Sequence, residues 1–115
     1  MRAGSMARGV VESVSGSLIL QPPPPEGLSE TEVAIDGEMQ SLIVRRSGDR
    51  VQAWLNIGPH AGRRLDWAPG RFLVDKGNLV CAAHGAMFEL EHGECIAGPC
   101  RGQSLVAVPV LAGDA

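Results

Sequence analysis

A chain of 115 residues with 44% hydrophobic content is long enough for one domain with a real core, folded without help from disulfides. Its formal charge of −3 at pH 7 provides no basic field, and with no Tyr and only two Trp and two Phe there is little to stack on bases. Both features argue against nucleic acid as a partner.

Residues 1–5, ahead of a second methionine at Met6, read as a vector remnant or an upstream start and are set outside the fold. The longest apolar run near the N-terminus, Leu18-Ile19-Leu20, falls far short of the ~20 residues a membrane span needs, and no signal-type apolar region follows Arg2 or Arg8. A soluble, cytoplasmic protein with no membrane partner is therefore expected. Four consecutive prolines, residues 22–25, suggest a stiff extended arm. Residues 1–25 are thus assigned to a partly flexible N-terminal segment and residues 26–111 to a single domain. Of two readings for the prolines, a ligand for a proline-binding groove or a connecting loop, the loop is preferred.

Beyond the prolines the chain reads as a succession of short strands. Leu42-Ile43-Val44 and Val51-Gln52-Ala53-Trp54-Leu55 flank Ser47-Gly48-Asp49, a hairpin signature. Phe72-Leu73-Val74 and Leu79-Val80-Cys81 flank Asp75-Lys76-Gly77-Asn78 in the same manner, and Met87-Phe88-Glu89-Leu90 and Glu94-Cys95-Ile96 flank Glu91-His92-Gly93. Residues 104–110 make a last strand, stopped by Pro109 and Gly113. No longer window repeats apolar residues at the helical period of roughly 3.6, so the expectation is an all-β domain.

The chemistry is concentrated in residues 56–90, which hold Gly58-Pro59-His60 and then Cys81-Ala82-Ala83-His84-Gly85. Residues 51–110 resemble the Rieske domain family. The resemblance is carried by Asn56-Ile57-Gly58-Pro59-His60-Ala61-Gly62, Leu65-Asp66-Trp67, Cys81-Ala82-Ala83-His84-Gly85-Ala86-Met87-Phe88 and Gly93-Glu94-Cys95-Ile96-Ala97-Gly98-Pro99-Cys100. It extends back to about Val33 and is closest in character to small bacterial ferredoxin-like members.

What the resemblance implies is an antiparallel β-sandwich with a small cluster-binding β subdomain, whose two ligand loops and Gly98-Pro99 loop lie at one tip. A Rieske centre puts two imidazoles on one iron and two thiolates on the other, from Cys-x-His and Cys-x-x-His-Gly. His60 and His84 would then hold the outer iron of a [2Fe-2S] cluster and Cys81 one side of the inner iron. Gly62 and Gly85 permit positive φ just after the histidines, where loop amides would point at bridging sulfides, Pro59 stiffens the first loop, and Pro99 caps the site. The implied role is that of an electron carrier and not an enzyme, passing one electron to or from an oxygenase or reductase partner.

Gly58 departs from the pattern, because glycine stands where the first thiolate should be and coordinates nothing. Four arrangements stay open at this level. The cluster is held by three protein ligands with water, hydroxide or another thiolate on the inner iron; Cys100, or less readily Cys95, serves as the fourth ligand; the two imidazoles and one thiolate bind a single Fe or Zn ion; or the site is empty and the domain only binds a partner. A reading outside the family makes Cys81, His84, Cys95 and Cys100 a structural zinc site, which accounts for the extra cysteines but leaves Gly58-Pro59-His60 unexplained. A Cys95–Cys100 disulfide is a further alternative, set against reduced thiols in a chain without an export signal.

His92, in a turn beside Gly93, reads as solvent-exposed. Arg63, Arg64 and Arg71 read either as a positive patch for an acidic redox partner or as a solvated face around Asp66 and Asp75.

Overall fold

Apolar runs of three to six residues separated by glycine turns fold, in the computed structural model, into ten strands with no helix among the described residues, 12–14, 16–59, 62–81 and 85–113. In chain order these are β1 (Glu12–Val14), β2 (Ser17–Leu20), β3 (Gly27–Ile35), β4 (Glu38–Ser47), β5 (Arg50–Leu55), β6 (Leu73–Asp75), β7 (Asn78–Val80), β8 (Met87–Glu89), β9 (Cys95–Ala97) and β10 (Val110–Ala112). The fold is all-β, as expected. It divides into two compact units, one made of Met1–Ala53 with Val108–Ala115 and the other of Trp54–Ala107.

In the first unit β3 and β4 form a long antiparallel hairpin in register from Gly27 opposite Arg46 to Ile35 opposite Glu38. Its two-residue turn is Asp36-Gly37, with φ of 53° and 83°, the pair of left-handed residues that matches the strand twist. β4 lies between β3 and β5. Leu42, Ile43 and Val44 at its centre are all fully buried, so this strand is covered on both faces, unlike a strand with one wet side. Val33 on β3 and Leu20 on β2 join that core.

β1 and β2 fall within residues 1–25, the N-terminal segment, where β2 pairs antiparallel with β1 and parallel with β10, Leu18 to Leu20 lying beside Val110 to Ala112. The β2 partner is about ninety residues away in sequence, which local apolar patterning cannot signal. The proline run that follows is a connecting loop tied to the sheet: Pro24 is buried, its carbonyl accepts a hydrogen bond from Arg46 Nη1 at 2.8 Å, and Glu26 accepts from the Gly48 amide.

The second unit is an antiparallel sheet of β6, β7, β8 and β9 in that order. Residues 104–110 do not form the single strand expected. Ser104 bridges Glu94, Ala107 bridges Trp54, and Leu55 donates to Val106 O at 2.8 Å, but only Val110 onward is a strand. Pro109 has no N–H to continue a ladder, and its carbonyl instead accepts from Leu18. The core of this unit gathers Trp54, Leu65, Leu79, Phe88 and Leu105, with Cys95 and Cys100 buried among the least exposed residues.

Candidate functional site

The first candidate loop leaves β5 at Leu55 and is closed on itself by Asn56. This buried side chain accepts the Leu65 amide through Oδ1 at 2.8 Å and also bonds the Asp66 carboxylate, so one amide staples the start of the loop to its end. Asp66, whose side chain is 1% exposed, accepts Arg64 Nε at 2.9 Å and Nη2 at 2.8 Å as a bidentate pair, and the Gly70 amide at 3.1 Å. Within this frame the Gly58 amide donates to Arg63 O at 2.7 Å and the Gly62 amide donates to Gly58 O at 2.9 Å.

The second loop leaves β7 at Val80 and repeats that pattern. The Cys81 amide donates to Ala86 O at 2.7 Å, and the Gly85 amide donates to Cys81 O at 2.8 Å. In both loops residue i donates to the carbonyl of i+5, and residue i+4 donates back to residue i. Residue i+4 is a glycine with left-handed φ each time, 67° at Gly62 and 72° at Gly85, a conformation costly for any residue with a Cβ. Gly58 and Cys81 thus make the same backbone hydrogen bonds in their loops, as Glu89 does in the turn closed by Gly93 and Glu94. The remaining proposed ligands, His60 and His84, lie outside the described residues. Cys81 is buried, and Pro59 is half-buried.

The Gly98-Pro99 turn packs on the second loop by close backbone approach. Gly98 has φ of 97°, and a Cβ there would stand 2.8 Å from the Ala86 Cα. Pro99 itself is exposed. Cys95 and Cys100 are free thiols with no disulfide between them. The Cys95 thiol lies 3.2 Å from Ala97 O, and burial, followed by contact with Cys95, pushes the Cys100 thiol up to about 11. Among the described residues no three His, Cys, Asp or Glu side chains gather as a metal-holding group, although Cys95 and, more weakly, Cys81 act on the Cys100 thiol.

The basic residues around the first loop are differently engaged. Arg64 is paired with Asp66 and the Arg71 guanidinium lies over the Trp67 ring, 5.7 Å from its centroid, while Arg63 is exposed. His92 is exposed, as read from sequence, and its amide caps on Glu89. Sequence reasoning missed Asn56 and Asp66 as the braces of the loop. A polar residue at each end of a loop bearing ligand-type residues was the available signal.

Asp66 carries a pH dependence. Burial alone would raise its carboxyl, but the Arg64 hydrogen bonds, the Gly70 amide, Asn56 and the Arg64 charge together hold it below the ordinary 3.8. A carboxyl depressed in the folded state adds stability that is complete above its unfolded pKa and is lost as pH falls through the folded one. Asp66→Asn should accordingly cost about 1–3 kcal/mol near neutral pH, with the deficit shrinking as pH falls below the ordinary carboxylate value of 3.8. Thermal unfolding of both proteins across that range checks it; a deficit that stays constant with pH would remove the carboxylate from the account.

A family model described as Rieske [2Fe-2S] domain matches residues 25–111. No curated protein and no solved structure matches the chain.

Proposed function

Since the chain belongs to the Rieske [2Fe-2S] domain family, we propose that it is a ferredoxin-like carrier, passing one electron to or from an oxygenase or reductase component through a site that lacks one thiolate ligand. Proteins of this family carry electrons through an iron–sulfur cluster to redox partners, and no helix among the described residues is long and apolar enough to cross a membrane. The observation that supports the finer reading is that Gly58 and Cys81 make matching backbone hydrogen bonds in the two loops that carry the ligand-type residues.

The donor set fits three of four ligand positions. His60 and His84 would ligate the outer iron as neutral imidazoles and Cys81 the inner iron as a thiolate, while Gly58 contributes no donor atom. A [2Fe-2S] group held in this way supplies reversible one-electron chemistry, with two histidine ligands setting potentials of roughly −150 to +300 mV. The chain's own contribution is to hold the loops before any metal arrives: Asn56 and Asp66 fix the first, and Gly98 against Ala86 fixes the second. Ile57 and Trp67, 44% and 57% exposed at the two ends of the first loop, would give a partner protein apolar surface on that loop.

Electron paramagnetic resonance of the dithionite-reduced, iron- and sulfide-loaded protein tests this reading. The expected result is a Rieske-type signal with histidine ligation, altered in shape by the missing thiolate. Full iron and sulfide content without such a signal would refute ligation by His60 and His84.

Gly58→Cys supplies a second test. Gly58 has no positive φ, and a Cβ added there meets only Arg63 O, at 3.4 Å, among the described residues, so a side chain is accommodated. The variant should fold with unchanged thermal stability and hold iron and sulfide at least roughly tenfold more tightly than the parent, because a direct ligand contributes no less than the outer partners of a metal site do. Equal retention in a folded variant would show that the register is wrong.

A further inference from the structure

We propose that the outer edge of β6 pairs antiparallel with the same edge of a second copy of this chain, about a two-fold axis at Leu73.

The sheet of the second unit runs β6-β7-β8-β9, so β6 and β9 are its edges. They are finished differently. On β9 the Cys95 amide donates to Gln103 O at 2.8 Å and Cys95 O accepts from the Gly102 amide at 3.1 Å, so the segment that follows closes that edge. β6 pairs with β7 on one side, and among the described residues no strand covers the other. All of its residues are exposed, Leu73 at 44% and Val74 at 53%. An open edge bearing exposed apolar side chains is a template for another strand.

The turn after β6 decides which backbone groups lie on that outer side. Lys76 and Gly77, with φ of 54° and 81°, make the two-residue turn that sets Asp75 opposite Asn78. The pair flanking such a turn is hydrogen-bonded, and bonded and non-bonded pairs alternate along an antiparallel ladder. Asp75 and Leu73 therefore turn their N–H and C=O toward β7, while Val74 and Phe72 turn theirs outward. Arg71 donates to Ala68 O at 2.8 Å and accepts from the Trp67 amide at 3.0 Å, so its backbone groups are already engaged.

The side chains select the occupant and the register. Arg71, Leu73 and Asp75 share one face of the strand by its two-residue alternation, and all three are exposed. When a second β6 runs antiparallel with Leu73 opposite Leu73, Phe72 and Val74 of the two copies exchange backbone hydrogen bonds. Arg71 of each copy then lies opposite Asp75 of the other. The neighbouring registers that keep the bonding pattern, Val74 opposite Val74 or Phe72 opposite Phe72, lose both charge pairs. Arg71-Phe72-Leu73-Val74-Asp75 is thus complementary to itself in charge and in hydrogen bonding, as a two-fold interface requires. An edge this short buries less than the roughly 800 Å² per partner of a standard interface, so the dimer is weak and forms at high concentration.

Sedimentation equilibrium of the full chain from about 10 micromolar to about 1 millimolar tests this. The mass should climb from that of one chain toward that of two across the range. Arg71→Asp and Asp75→Arg each set like charges opposite one another at both symmetry-related positions and should weaken association roughly tenfold, while the double variant restores it. Val74→Pro removes an outward N–H that β7 does not use, so it should keep the parent's circular dichroism and stay monomeric. A parent that keeps monomer mass throughout leaves the edge to a foreign strand or to solvent and overturns the proposal, as does a dimer equally strong in every folded variant. Should Val74→Pro fail to fold, the charge exchange decides alone: association not regained in the double variant overturns the proposal.

Discussion

Cys81→Ser, His84→Ala and His60→Ala should each strip the protein of iron and sulfide, while Cys95→Ser and Cys100→Ser leave both in place. Loss of a direct ligand is expected to cost at least the roughly 10–100-fold in affinity that loss of an outer partner costs. The physical ground is position. Cys81 follows β7 at the head of the loop closed by Ala86 and Gly85, whereas Cys95 and Cys100 are buried with their thiols engaged with each other. His60→Ala is the discriminating variant, because a structural zinc site built from Cys81, His84, Cys95 and Cys100 does not use it. Metal retained in full in His60→Ala and lost in both Cys95→Ser and Cys100→Ser would replace the iron–sulfur account with the zinc one. Metal analysis of the five purified, folded variants decides between them.

Gly98→Ala should be among the most disruptive single-methyl changes in the second unit. The added Cβ meets the Ala86 Cα, a backbone atom with no rotamer to yield, at 2.8 Å, and the φ of 97° strains any residue that has a Cβ. Backbone strain of about 1–3 kcal/mol and overpacking of about 1–3 kcal/mol act together. Ala86 O is also the acceptor for the Cys81 amide, so the same methyl displaces the ligand loop. Gly102→Ala is the matched control: its φ is 90° but nothing lies within 4 Å, leaving only the backbone cost. Denaturant unfolding should place Gly98→Ala well below Gly102→Ala, with faster loss of metal from the former. Equal midpoints would mean that the approach of Gly98 to Ala86 carries no weight.

Much of the strand order could be read from local chemistry, because turns announce themselves. The turns at Gly48, at Lys76-Gly77 and at Glu91-His92-Gly93 each join the strands that their flanking apolar runs suggested. β3 escaped notice because Val33 is its only fully buried residue and its other positions mix Glu, Ser and Thr with apolar ones, although Asp36-Gly37 is a strong hairpin signal. β2 and β10 escaped because their parallel pairing is non-local. The family was legible in Cys81-Ala82-Ala83-His84-Gly85 and the residues around it, and a family model matches residues 25–111. The bracing of the first loop was not, since Asn56 and Asp66 have meaning only once the chain has turned back on itself. Gly98 was visible as part of a Gly-Pro turn, but its closeness to Ala86 is a tertiary fact.

We propose that this chain, despite Gly58, builds an iron–sulfur site from His60, Cys81 and His84. The most direct test is the iron and acid-labile sulfide content of protein expressed and purified without added metal. The account predicts about two iron and two sulfide per loaded chain. One metal ion per chain without sulfide, whether iron or zinc, would contradict it.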